Sequence, residues 1–165
     1  MKKKTIAAKS KKNTARKTRG NSKDISLTVR NVNRSALSKE FVKKIVDKTI
    51  FFANFRGSAR HSVIFLDTRE MKVIDRRYKP GLGHVSNVLT FNLSDSPVIA
   101  DIFICVPQAG KEAGMYGLDS RSYISFLIIH GILHSIGFAH EHSAAKRRKM
   151  ETLEEKILFS LFLNK

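Results

Sequence analysis

At 165 residues with 42% apolar content, the chain has the length of one domain and enough apolar side chains for a real core. No run of 18 uninterrupted apolar residues occurs, so no transmembrane helix is expected, and the N-terminus reads unlike a secretory signal. The single cysteine, Cys105, excludes an internal disulfide and sits in an apolar run as a buried strand thiol; together these features point to a reducing, cytoplasmic setting.

The net charge of +17 is unevenly spread: residues 1–23 hold eight lysines, two arginines and no acid. That segment is almost devoid of apolar side chains and cannot bury enough surface to fold alone. Residues 1–24 are therefore expected to form a disordered basic tail and residues 25–165 the folded domain. A tail of this composition binds polyanions by counterion release, and RNA is the natural partner.

The predicted elements follow in order. Ile25–Arg30 alternates apolar and polar residues and reads as a strand. Ser35 or Ser38 caps a helix whose buried face carries Phe41, Val42, Ile45, Val46, Thr49 and Phe52. Ser62–Asp67 is a second strand, and Arg69–Tyr78 has weaker helical spacing through Met71, Ile74 and Tyr78. Lys79–Gly83 is a loop by its proline and glycines. Val88–Phe91 and Ile99–Cys105 are strands three and four, and Lys111–Gly114 reads as a short helical or irregular connection. Ser120 begins a core helix reaching about Ile136, and Ala144–Leu163 is the last helix, with Met150, Leu153, Ile157, Leu161 and Phe162 inward. The sum is an α+β domain: a small four-stranded mixed sheet packed with helices, without regular βαβ alternation.

The chemistry concentrates in His130-Gly-Ile-Leu-His134-Ser-Ile-Gly-Phe-Ala-His140. Residues four apart share a helix face, so His130 and His134 present two imidazoles to one point. Gly137 supplies a left-handed residue that ends the helix, and the reversed chain brings back His140. Three neutral imidazoles with an open position suit a catalytic zinc, with nickel and iron as alternatives. The competing reading is a helix with buried, hydrogen-bonded histidines. The spacing is that of the metzincin peptidases, but those carry a glutamate base after the first histidine, and here that residue is Gly131.

The same string resembles the YbeY family of ribosome-associated metalloendoribonucleases, whose signature is His-Gly-x-Leu-His-Leu-x-Gly-Tyr-Asp-His. Three further segments are similar to that family: Asn87–Phe91, Ala100–Cys105 and Met150–Leu158. The resemblance runs from about Asp24 to the C-terminus. It implies a four-stranded mixed sheet with several helices, and single-strand-specific RNA cleavage in rRNA maturation and ribosome quality control, with ribosomal particles as partners. It also implies an arginine near the scissile phosphate. In this chain the aligned stretch is Arg76-Arg77-Tyr78-Lys79, which puts Lys79 in the arginine's place and leaves Arg77 as the alternative from the neighbouring turn. Lysine lacks the guanidinium fork. A solvated basic face is the competing reading of Arg76, Arg77 and Lys79. Ala139 stands where the family has an aspartate, so a carboxylate that would orient a ligand histidine is missing there.

Other polar residues receive plainer readings. His61 and His84 are taken as structural or surface residues, His142 as exposed, with a fourth ligand or a proton shuttle as its alternatives, and Asp101 as structural, with support of the metal site as its alternative. Ser86 and Asn87 are candidates for the substrate groove, and Glu151, Glu154 and Glu155 for helix-surface pairs with Arg147, Arg148 and Lys156. The function expected is a zinc-dependent endoribonuclease with His130, His134 and His140 as ligands. Two alternatives stay open: an RNA-binding ribosome assembly factor with a structural or weakened metal site, and a metallopeptidase.

Overall fold

The computed structural model describes residues 24–138 and 143–163. In chain order these form β1 (Ile25–Arg30), a 3-10 turn (Val32–Arg34), α1 (Lys39–Phe52), β2 (Ala59–Leu66), α2 (Thr68–Tyr78), β3 (Val88–Asp95), β4 (Val98–Cys105), α3 (Val106–Met115), α4 (Ser120–Ser135) and α5 (Ala144–Phe162). The basic tail at residues 1–23 lies outside the described residues.

The four strands make one mixed sheet in the order β1-β2-β4-β3. β1, β2 and β4 run parallel, and β3 pairs antiparallel with β4 at the edge. Parallel neighbours need a crossover, and α1 provides one between β1 and β2. The fold is α+β with a single βαβ unit followed by a hairpin. β2 begins three residues earlier than its sequence pattern suggests, because Ala59, Arg60 and His61 pair with both β1 and β4. β3 likewise continues past Phe91 along β4. Val106–Met115 is a full helix, not a short connection. Pro107 opens it with its preset φ, and Ala109 and Ala113 bury a smooth face one turn apart.

The side chains that start each helix are local and legible. Ser38 accepts from the Phe41 amide, and Asp67 and Glu70 form a reciprocal capping box on α2. Asp119 accepts from the Ser122 amide to open α4, and Ser143 caps α5. α4 is apolar on most of its circumference, which suits a helix covered on all sides. It packs on α1, α3, α5 and the β3–β4 hairpin. Ile124, Leu127, Ile128, Ile129, Ile132 and Leu133 are all buried, each worth about 1.5–3 kcal/mol in area removed from water. Cys105 is buried at the end of β4, and burial raises its thiol pKa, so it stays a protonated core residue.

α4 approaches the sheet closely because residue 131 has no side chain. A Cβ there would meet Thr90 Oγ1 at 2.8 Å and Ile102 Cγ2 at 2.9 Å. Its C-terminus then turns at Gly137, with φ +98°, and the Phe138 amide reaches back to Leu133 O at 2.9 Å.

His61 is a buried structural residue with a titration consequence. Ser135 Oγ donates to Ile132 O at 2.7 Å and lies 2.8 Å from His61 Nε2, so it accepts from that nitrogen. His61 Nδ1 is buried without a partner among the described residues. Burial pushes the imidazole down from 6.5 to about 4. Between those values the unfolded chain binds a proton that the folded chain refuses. Stability is therefore full above about pH 6.5 and falls as the pH drops, by about 3 kcal/mol at pH 4 from this residue alone. Denaturant midpoints measured from pH 7 to pH 4 should drop steeply in the native chain and less in His61→Leu, where Ser135 keeps its bond to Ile132.

Candidate metal centre and cleft

His130 and His134 stand one turn apart on the face of α4 that looks out beside β3. Their Nε2 atoms are 3.1 Å apart, and the rings are nearly perpendicular, 74° between planes. Two imidazole nitrogens on a tetrahedral zinc at the usual bond length are separated by about 3.3 Å. The donor pair thus matches the geometry that a shared cation imposes. His130 Nδ1 lies 2.8 Å from Glu154 Oε1 on α5. A carboxylate at that nitrogen holds the proton on Nδ1 and leaves the Nε2 lone pair turned to the site. His130 also packs against Phe126, with ring centroids 5.7 Å apart. Among the described residues no third histidine, cysteine or carboxylate completes a ligand group. His140, with Ala139 and His142, lies outside the described residues.

Glu154 corrects the sequence reading. It is 5% exposed and faces inward, not paired with a surface arginine or lysine. The signal was present: Met150, Glu154, Ile157 and Leu161 repeat at four, three and four, and all are buried. A carboxylate thus reaches His130 from α5. Glu154→Gln is expected to weaken metal affinity by about 10–100-fold with the fold retained, since the amide fills the same space without the charge. Metal titration with a competing chelator would show it, and unchanged affinity would remove Glu154 from the site.

A cleft of about 450 Å³ opens beside the two histidines, walled by Val88–Asn92 of β3 and by Tyr78 and Lys79 at the end of α2. Asn92 Nδ2 donates to Ser135 O at 3.2 Å and ties β3 to the end of α4. The Tyr78 ring packs on Phe91 at a 56° tilt, centroids 4.7 Å apart, which fixes the wall next to Lys79. Of the basic residues singled out by sequence, Lys79 lines this cleft. Arg77 instead lies over the outer Tyr78 ring, 5.5 Å from its centroid. Arg76 turns to an adjacent hollow with Lys79, Gly83 and His84.

Ser86 and Asn87 do not line the cleft. Ser86 is buried and donates through its amide and hydroxyl to Asp75, at 2.9 and 2.6 Å. Asn87 donates to Glu112 Oε2 at 2.5 Å and to the Tyr123 hydroxyl at 3.2 Å, and Tyr123 itself donates to Glu112 at 2.7 Å. Burial opposes the charge on Glu112, but bonds from Gln108, Tyr123 and Asn87 prevail and hold its carboxyl below the usual range. Burial and that carboxylate raise the Tyr123 hydroxyl. Asp101 is half-buried on the face of β4 opposite Ile102, which lies beneath Gly131, so it does not support α4 or its histidines.

Comparison with known proteins identifies the family. Residues 21–161 match the family model described as Endoribonuclease YbeY. An Endoribonuclease YbeY of Persephonella marina is 32% identical over 128 residues, covering 74% of this chain and 82% of its own. One from Ralstonia nicotianae is 36% identical over 131 residues, covering 78% and 67%. The solution structure of TM1509 from Thermotoga maritima superposes with a TM-score of 0.59 at 19% identity, over 82% of this chain and 89% of that one, and shares the fold. With the family model spanning most of its length and relatives above 30% identity, the chain belongs to the endoribonuclease YbeY family.

Proposed function

We propose that this family member is a zinc-dependent, single-strand-specific endoribonuclease acting in cytoplasmic rRNA maturation and ribosome quality control. The observation that carries the reading is the convergence of His130 Nε2 and His134 Nε2, with Glu154 fixing the first ring from behind. His140 is the third ligand in this proposal. Bound there, zinc would supply a hydroxide near neutral pH and stabilise charge on a phosphoryl oxygen. Lys79 lies beside the histidines in the cleft and neutralises the scissile phosphate; Arg77, from the outer side of Tyr78, steers the strand toward it. No helix among the described residues is long and apolar enough to cross a membrane.

The test is elemental analysis of the purified chain together with cleavage of a structured rRNA fragment, with and without chelator. One zinc per chain and chelator-sensitive cuts in single-stranded regions support the reading. Zinc without cleavage would move the chain to the RNA-binding assembly factor.

Ribosomal RNA as partner gives the basic tail a role. Removing residues 1–23 should weaken RNA binding and flatten its dependence on salt. On a single strand the log–log slope should fall by about 0.7 for each phosphate that the tail neutralises. Cleavage chemistry at saturating RNA should persist. An unchanged slope would mean that the tail does not touch RNA.

A further inference from the structure

The seam between α4 and α5 does not stop at the metal end. One to three turns back from His130, it widens into an apolar groove of about 620 Å³. Aromatic rings line it in succession. Tyr116 and Tyr123 stack nearly parallel, with centroids 5.8 Å apart and 24° between planes. Tyr123 is 5.9 Å from Phe126, and Phe126 is 5.7 Å from His130. Phe159 and Phe162 face them from α5. Tyr116 is 70% exposed and Phe159 61% exposed, so large flat faces stand in water along the seam that leads away from His130.

We propose that this groove is the subsite that stacks unpaired bases of the RNA strand being cut. The inference rests on the endoribonuclease reading and extends it to how a single strand is held. Three observations favour bases as the occupant. The row of rings is continuous with the ligand His130 through Phe126. The charged residue on the groove wall is Glu155, which repels phosphate but accepts hydrogen bonds from base amino groups. Arg121, whose guanidinium lies over the Phe41 ring at 4.2 Å and 5.9 Å from the Phe162 ring centre, offers a cation to a backbone held outside the groove. The platform is also preorganised. The Tyr123 hydroxyl is tied to Glu112 and Asn87, so its ring is already fixed before a base arrives.

The experiment uses the full chain and a labelled ten-nucleotide single-stranded 2′-O-methyl RNA, with an abasic strand of equal charge as control and strand integrity checked on a gel. Tyr116→Ala and Phe159→Ala are each expected to weaken binding of the base-bearing strand by about 5- to 100-fold, and to leave the abasic strand and the salt slope unchanged. Both residues are exposed, so the variants should fold. The chain has no tryptophan, so Phe159→Trp adds a single indole reporter. Its emission should be quenched by the base-bearing strand and not by the abasic one. Native affinity in both alanine variants, or no quenching, overturns the inference. So does a concentration-dependent dimer that Phe159→Ala dissolves, which would make the groove a contact between two copies. Loss of the groove inference leaves chelator-sensitive cleavage by the native chain intact, whereas failure of the native chain to cut RNA removes the reading beneath it.

Discussion

His134→Ala is expected to lose RNA cleavage by more than about 10³-fold and to lose stoichiometric metal, while its thermal unfolding matches that of the metal-stripped native chain. The argument is geometric. His134 Nε2 is one of two donors 3.1 Å apart, and alanine leaves His130 without its neighbour. Catalysis that depends on a cation fails when the cation leaves, and not in proportion to one hydrogen bond. The fold has little reason to fail. His134 is half-exposed at the mouth of the cleft, and the α4 side chains that carry the core are its isoleucines and leucines. Alanine is also the best helix former. The measurements are metal content, circular dichroism melting and cleavage of the same rRNA fragment. A variant that kept tight, stoichiometric zinc would refute the ligand assignment.

The second large effect is on stability. Gly131→Glu writes the peptidase glutamate into the histidine string, and it should unfold or severely destabilise the domain without creating peptidase activity. Position 131 does not look into the cleft. It lies flat on the sheet, with Thr90 Oγ1 and Ile102 Cγ2 inside 3 Å of where a Cβ would stand. Even Gly131→Ala makes Thr90, Ile102 or α4 itself give way, at about 1–3 kcal/mol for overpacking against roughly 1 kcal/mol gained in helix propensity. Glutamate adds a carboxylate with no water and no partner, at a further several kcal/mol. Against a total stability of about 5–15 kcal/mol, the sum is decisive. Denaturant titration should rank native, Gly131→Ala and Gly131→Glu in that order. Thr90→Ala should recover part of the alanine variant's loss, because it removes one of the two obstructing atoms. The same close approach leaves no room for a metzincin's glutamate in this histidine string.

Some of this was legible in the residues and some was not. The α4 helix, its end at Gly137 and the pairing of His130 with His134 follow from local spacing, which the backbone obeys directly. β1 was readable because its apolar residues alternate. Glu154 was readable in principle from the stripe Met150, Glu154, Ile157, Leu161, but an acid in a helix of many charges invites a surface assignment. α3 was obscured by Gly110 and Gly114, though Pro107 marks its first turn. The triangle of Asn87, Glu112 and Tyr123 has no local signature at all: its members are 25, 36 and 11 residues apart, and only the docking of α3 and α4 beside β3 brings them together. The reach of β2 and β3 beyond their apolar patterns has the same origin, since a partner strand extends a ladder that sequence alone would end.

The bond between His130 and Glu154 also orders events during synthesis. A chain emerging from its N-terminus presents the sheet and α4, with both imidazoles, before α5 exists. Until Met150, Ile157 and Leu161 dock, no carboxylate turns the first ring, and a copy broken off before residue 154 never acquires one. The first ring is thereby left without its carboxylate until α5 has been made and docked.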